Sequence, residues 1–236
     1  MKKLTTLLFV ALATISLHAQ DLTGPQLLEK AIQYHDPQGK WESFKGTLLV
    51  TMETPNSPNR DSEIKIDLPN QYFYVKATRA GKTTEYTVDK EKCTILFNGK
   101  TPTEEEKKAN GLSCDRANLY KNYYSYLYGL PMKLKDPGTQ IDAKINKIKF
   151  KGKPYLVLRA TYKEGVGKDV WFFYFNPKTY AMEIYQFLKN GEQNTGEYIL
   201  LSGMETINGI KMPKTRAWYY NKDDKYLGTD ILKSKK

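Results

Sequence analysis

From Phe44 onward the chain alternates apolar and polar residues in short runs. Residues 41–53 contain Trp41, Phe44, Leu48, Val50 and Met52, with the even positions largely apolar after Phe44. Residues 62–68 alternate around Ile64, Ile66 and Leu68, and the rhythm returns over 72–78, 83–88 and 92–97. The second half repeats it over 143–150, 154–163, 169–176, 180–188, 196–205, 212–221 and 225–233. A period of two places successive side chains on opposite faces of a pleated strand. Turn-forming residues separate the runs: Pro55 to Asn59, Pro69-Asn70, Ala80-Gly81, Lys151-Gly152-Lys153 and four Asn-Gly pairs at 98–99, 110–111, 190–191 and 208–209. Asn and Gly tolerate the positive φ of a tight hairpin, so the pattern predicts about a dozen antiparallel strands.

Two segments carry helical spacing instead. Over 23–35, Thr23 can cap, Pro25 suits the first turn, and Leu27, Leu28, Ala31, Ile32 and Tyr34 form a stripe that Asp36-Pro37 ends. Over 115–129, Leu119, Tyr123, Tyr126 and Leu127 recur with Tyr120, Tyr124 and Tyr128 beside them, and Gly129 and Pro131 close the run. A short charged segment, 103–109, begins with Thr103 and Glu106, the spacing of a capping box.

The first twenty residues break the pattern. Lys2 and Lys3 precede an apolar run from Leu4 to Leu17, and small Ala19 stands before Gln20-Asp21. That is the layout of a secretory signal peptide, with cleavage expected after Ala19 or Gln20. The run is too short for a spanning helix, which needs roughly 20 apolar residues. The chain is therefore expected to be exported, to the periplasm or beyond the cell, with residues 21–236 as a single domain. No Cys stands at the boundary for a lipid anchor.

The formal net charge of +11 falls to +9 without Lys2 and Lys3. Such a balance favours anionic surfaces such as lipid headgroups or acidic glycans, and it equally keeps a sheet soluble and its edges blunt. Nucleic acid is not an expected partner of an exported chain without a recognised binding motif. The cysteines number two, Cys93 and Cys114. In an oxidising compartment they suggest one disulfide; the alternative is two buried thiols.

Catalytic patterns are missing from the chain. It has no Gly-x-Ser-x-Gly elbow, Gly-rich phosphate loop or His-x-x-x-His pair, and His35 is the imidazole that remains after cleavage. At a helix end beside Asp36, it is expected to be solvated. No enzyme activity, cofactor or metal site is expected. The 18 Tyr, 9 Phe and 3 Trp are more telling. Tyrosine has an apolar body and a hydroxyl that seeks a partner. The Tyr-dense helix either lines a cleft for an amphipathic or acyl ligand or simply packs on a sheet. The first reading names Leu119, Tyr120, Tyr123, Tyr124, Leu127, Trp171 and Phe173 as ligand-binding positions. The run Val170 to Phe175 is apolar on both faces.

Several segments together resemble a known superfamily. They are the strand with Trp41, Phe44, Gly46, Val50 and Thr51, the run Ile64 to Asn70, the helix at 118–131, and the turns Tyr174 to Tyr180 and Ile207 to Pro213. This layout resembles the outer-membrane lipoprotein carrier-like (LolA-like) superfamily, and within it a group of exported bacterial proteins without a settled biochemical role. The resemblance implies an α+β fold, mainly antiparallel: an unclosed half-barrel of about eleven strands wrapped over two or three helices. It also implies a concave apolar face that receives a lipid or a lipoprotein acyl chain, with an envelope protein as a further partner. The alternative is a structural or protein-interaction domain of the envelope with a filled core.

Overall fold

The computed structural model describes residues 22–233; the expected signal peptide lies outside them. The N-terminal strands are β1 (Lys45–Thr54), β2 (Ser57–Asp67), β3 (Tyr72–Arg79), β4 (Lys82–Asp89) and β5 (Lys92–Phe97). After the helices come β6 (Thr139–Ile141), β7 (Asn146–Phe150), β8 (Lys153–Tyr162), β9 (Val170–Phe175), β10 (Met182–Leu188), β11 (Glu197–Ile207), β12 (Ile210–Tyr220) and β13 (Tyr226–Lys233). The helices are α1 (Gly24–His35), α2 (Glu104–Asn110) and α3 (Cys114–Gly129).

All thirteen strands join one antiparallel sheet, ordered β5-β4-β3-β2-β1-β13-β12-β11-β10-β9-β8-β6, with β7 also on β8. Each half of the chain is a meander of neighbouring strands. The halves meet at β1 and β13, from Leu49 opposite Lys233 to Glu53 opposite Thr229. The sheet does not close, because β5 ends one side and β6 and β7 the other. The expected half-barrel over helices is the fold observed.

Hairpin chemistry departs from expectation in detail. Among the four Asn-Gly pairs, Asn208-Gly209 forms the two-residue turn between paired strands, with φ of 51° and 87°, and Asn98-Gly99 forms one between Phe97 and Lys100 at the end of β5, with φ of 50° and 78°. Gly111 instead caps α2 in the left-handed region, and Asn190-Gly191 lies in a short 3-10 turn. Other tight turns use Ala80-Gly81, Lys90-Glu91 and Lys151-Gly152. The stretch from Ser57 to Asn59, expected as loop, begins β2, and Pro58 lies beside the register shift between Met52 and Thr54, where a missing ladder donor is tolerated. The predicted strand 143–150 is observed as β7 at 146–150, and β6 at 139–141, where no strand was expected, occupies the same side of β8 end to end with it.

The concave face holds the main core. Leu48, Val50, Ile64, Ile66, Phe73 and Val75 from one wing and Leu158, Phe173, Tyr185 and Ile199 from the other are buried beneath α1 and α3. On the convex face, Tyr155, Val157, Tyr174 and Ile184 form a smaller cluster that Phe150 covers. This explains why Val170 to Phe175 is apolar on both faces.

Helix α1 begins with the cap expected at Thr23, which forms a capping box with Gln26, and packs against β8 and β12. His35 at its end is buried rather than solvated. Its Nδ1–H donates to the Lys211 carbonyl at 2.7 Å, and its Nε2 accepts the Met182 N–H at 3.0 Å. The imidazole therefore bridges β12 and β10 as the neutral ring, and burial lowers its pKa to about 4. Asp36 caps the following turn, accepting the N–H groups of Lys40 and Trp41 at 2.8 Å each.

Candidate functional site

Helix α3 lies across the concave face. Ser113 caps it by accepting the Arg116 N–H at 3.1 Å, and the Cys93–Cys114 disulfide ties its first turn to β5. At its last turn Gly129 lies against Trp41, where an added Cβ would stand 2.2 Å from a ring carbon. The helix is thus held at both ends.

The inward face of α3 runs through Ala117, Tyr120, Tyr124, Leu127 and Tyr128. Tyr124 stacks on Phe73 and Tyr120, and Tyr123 on Trp218. Among the positions expected to line a ligand cleft, Tyr124, Leu127 and Phe173 are buried in the packed core, and Tyr123 is enclosed with them. Leu119 is 67% exposed, because it falls outside the stripe that faces the sheet. Tyr120 and Trp171 are half-buried and lie on opposite flanks of the helix, each at the wall of a cleft.

Beneath α3, sheet register builds a polar row. Across successive strands it runs Leu201, Arg216, Asp230, Met52, Arg60, Arg79. Arg216 and Asp230 are each only 1% exposed. The Arg216 guanidinium lies 3.8 Å from the Tyr128 ring centroid and donates to the Pro213 carbonyl at 2.9 Å and the Leu127 carbonyl at 3.5 Å. A cation at the last carbonyls of α3 also complements the negative end of the helix. Asp230 accepts from the Tyr123 hydroxyl at 3.2 Å. Burial raises the Asp230 pKa, against the opposing pull of Arg216 and Arg60 and the Tyr123 hydrogen bond. Arg60 donates to Tyr124 at 3.2 Å and Tyr120 at 3.5 Å. The Tyr120 and Tyr124 hydroxyls are therefore spent on Arg60 and that of Tyr123 on Asp230, as interior packing requires, while the buried Tyr128 hydroxyl has no partner among the described residues.

Two clefts flank the helix. One, of about 440 Å³, opens between the C-terminal half of α3 and the β8–β9 wing, with Tyr126, Tyr162, Trp171 and Val166 on its walls and Lys133, Lys168, Asp136 and Asp169 at its polar side, where Lys133 pairs with Asp136. Tyr126 and Tyr162 share a hydroxyl–hydroxyl contact, and the Tyr126 ring meets Trp171 edge-on at 5.6 Å. Burial raises the Tyr162 pKa to about 12 despite the Tyr126 hydrogen bond, so both hydroxyls stay protonated near neutral pH. The other cleft, of about 390 Å³, opens beside the N-terminal half of α3 against β2, β3 and β4.

Sequence reasoning missed Tyr162 as a wall residue and missed Arg60, Arg216 and Asp230 altogether. The last three had a signal: each falls at the inward phase of a strand otherwise lined with apolar residues. Among the described residues, no group of three His, Cys, Asp or Glu stands where it can hold a metal, and no helix is long and apolar enough to cross a membrane.

A model of the family of unknown function DUF6503 matches residues 2–234. The chain belongs to that family. Comparison with curated proteins finds no match. Among solved structures, a LolA superfamily protein from Nitrosomonas europaea is similar at 12% identity and a TM-score of 0.50, over 90% of this chain and 92% of that one. A protein of the DUF1329 family from Desulfovibrio piger is similar at 8% identity and a TM-score of 0.49, over 89% and 91%. A domain described as outer-membrane lipoprotein-sorting, from Vibrio parahaemolyticus, has 10% identity and a TM-score of 0.48, over 89% and 90%. At these identities the likeness is one of fold, and the fold of this DUF6503 protein is that of the LolA superfamily.

Proposed function

We propose that this DUF6503 protein is an exported, non-enzymatic binding protein of the cell envelope that takes an acyl or similar amphipathic ligand beside α3. The observation that carries the reading is the cleft of Tyr126, Tyr162 and Trp171. It combines an aromatic wall with a polar side of mixed charge, Lys133 and Lys168 with Asp136 and Asp169, the chemistry that suits an apolar chain ending in a polar group. The signal-peptide layout of residues 1–20 and the Cys93–Cys114 disulfide support export to an oxidising compartment. The likeness to a LolA superfamily fold supports the concave side as the binding side. Because Tyr124, Leu127 and Phe173 fill the centre of that side, the ligand seats along the flank of α3 and not through the middle of the half-barrel.

The filled centre also favours a second reading, a structural or protein-interaction domain of the envelope. Native mass spectrometry of the purified protein separates the two. Bound acyl species are expected in the wild type and are expected to be lost in Val166→Glu, a change at a 57% exposed wall position that leaves the melting temperature unaltered. Absence of any bound lipid, across purifications from different lipid backgrounds, would favour the structural reading.

A further inference from the structure

The second cleft differs from the first in charge. Arg60, Arg79, Lys82 and Arg116 stand on its walls, and no Asp or Glu lines it. Arg60 and Arg116 approach the same ring, with guanidinium carbons 5.7 and 5.9 Å from the Tyr120 centroid. Arg60 uses its Nη atoms on tyrosine hydroxyls, and its Nε is buried without a protein partner among the described residues. Arg79 is in the same position: its Nε is buried and unpartnered, and its Nη2 meets only the Met52 sulfur at 3.6 Å. None of the four makes an ion pair among the described residues. The one carboxylate of the register row, Asp230, lies beyond Met52 and accepts from Tyr123.

Four cations held around one opening repel one another, and the arrangement is relieved by an anion that none of the walls supplies. Guanidinium forks match the paired oxygens of a phosphate group and bind them more strongly than neutral donors do. The aromatic walls, Tyr86, Phe97 and Tyr120, exclude water from one side and raise the strength of such contacts. We infer that this cleft binds an anionic phosphate group, carried either by a free phosphorylated solute or by a lipid headgroup. The site is separate from the acyl cleft, so loss of acyl binding at Trp171 leaves this inference standing.

The test uses the purified protein with two probes, inorganic pyrophosphate by calorimetry and vesicles of phosphatidylglycerol against phosphatidylcholine by co-sedimentation. Saturable pyrophosphate binding is expected for a site open to free solutes. Binding to phosphatidylglycerol vesicles that excess pyrophosphate fails to displace identifies a lipid headgroup as the source. In either case Lys82→Gln with Arg116→Gln, both at exposed side chains, is expected to weaken binding by roughly tenfold or more. Lys178→Gln with Lys222→Gln removes the same charge far from the cleft and is expected to cost less than about twofold. Arg79→Gln gives a second measure at a wall guanidinium, with its melting temperature recorded to confirm folding. Equal weakening by the cleft pair and the remote pair assigns the binding to the overall positive charge and overturns the inference. So does the absence of saturable binding to both probes.

Discussion

The two flanks of α3 show how one helix can face two different environments. Towards β8 and β9, Tyr126 meets Trp171 and Tyr162, and the cleft is aromatic with a polar side. Towards β2–β4, Tyr120 meets Arg60 and Arg116, and the cleft is cationic. The helix offers tyrosine to both sides and adds Arg116 on the second, so most of the difference comes from the sheet. Cross-strand register sets Ala160, Trp171 and Phe187 in one line and Arg216, Asp230, Arg60 and Arg79 in another. The position of a residue across the sheet, more than its identity along the helix, decides which chemistry each flank presents.

The largest expected effect lies between the flanks. Leu127→Lys places a charge in the packed centre with no partner and is expected to abolish the cooperative urea transition, a cost of about 4 kcal/mol or more. Retention of a wild-type transition would show that the centre is loosely filled and that the flanks are one cavity. Next is Asp230→Ala, which leaves Arg216 and Arg60 facing a carboxylate-free interior. The expected loss, from the buried Tyr123 hydroxyl left without its acceptor and the guanidinium groups left without the carboxylate charge, is roughly 3 kcal/mol by urea denaturation, and a neutral result would detach the basic flank from the central row.

His35 reports on the other wing, through Lys211 and Met182. Its folded pKa, about 4, lies below the 6.5 of an unburied imidazole, so the unfolded chain takes up the proton first. Its contribution to stability is therefore complete above about pH 6.5 and is lost as the pH falls towards 4, a change of about 3 kcal/mol at most. The slope of stability against pH over this window is expected to shrink in His35→Gln. Reduction of Cys93–Cys114, which anchors α3 on its basic side, is expected to cost a similar or slightly smaller amount, roughly 3 kcal/mol on the chain-entropy account. Thiol titration of the denatured, unreduced protein is expected to find no free cysteine.

Much of the fold was legible because it rests on local signals. Thr23 and Pro25, Thr103 and Glu106, and the period-two runs announce their elements, and the structure places helices and strands there. The turns were less legible. Ala80, Lys90 and Lys151 adopt positive φ because the flanking strands impose it, which residue preference alone does not reveal. The site was legible only in part. Tyrosine spacing marked α3 as the helix of interest, and Trp171 as a strand position facing it. Leu119 looked equivalent to its neighbours because its place outside the inward stripe depends on how the helix sits on the sheet. Arg60 and Arg79 are remote from α3 in sequence, and only strand pairing brings them beside Tyr120.

The central claim, that an acyl chain lies against the aromatic flank of α3, is tested most directly by tryptophan quenching with brominated fatty acids. Bromine quenches an indole only in near contact. Trp41 and Trp218 are packed against Phe44 and Tyr123, while Trp171 stands at the cleft wall. Saturable quenching is expected in the wild type, and most of it is expected to vanish in Trp171→Phe. No quenching at any ligand concentration, or equal quenching in Trp171→Phe, would contradict the account.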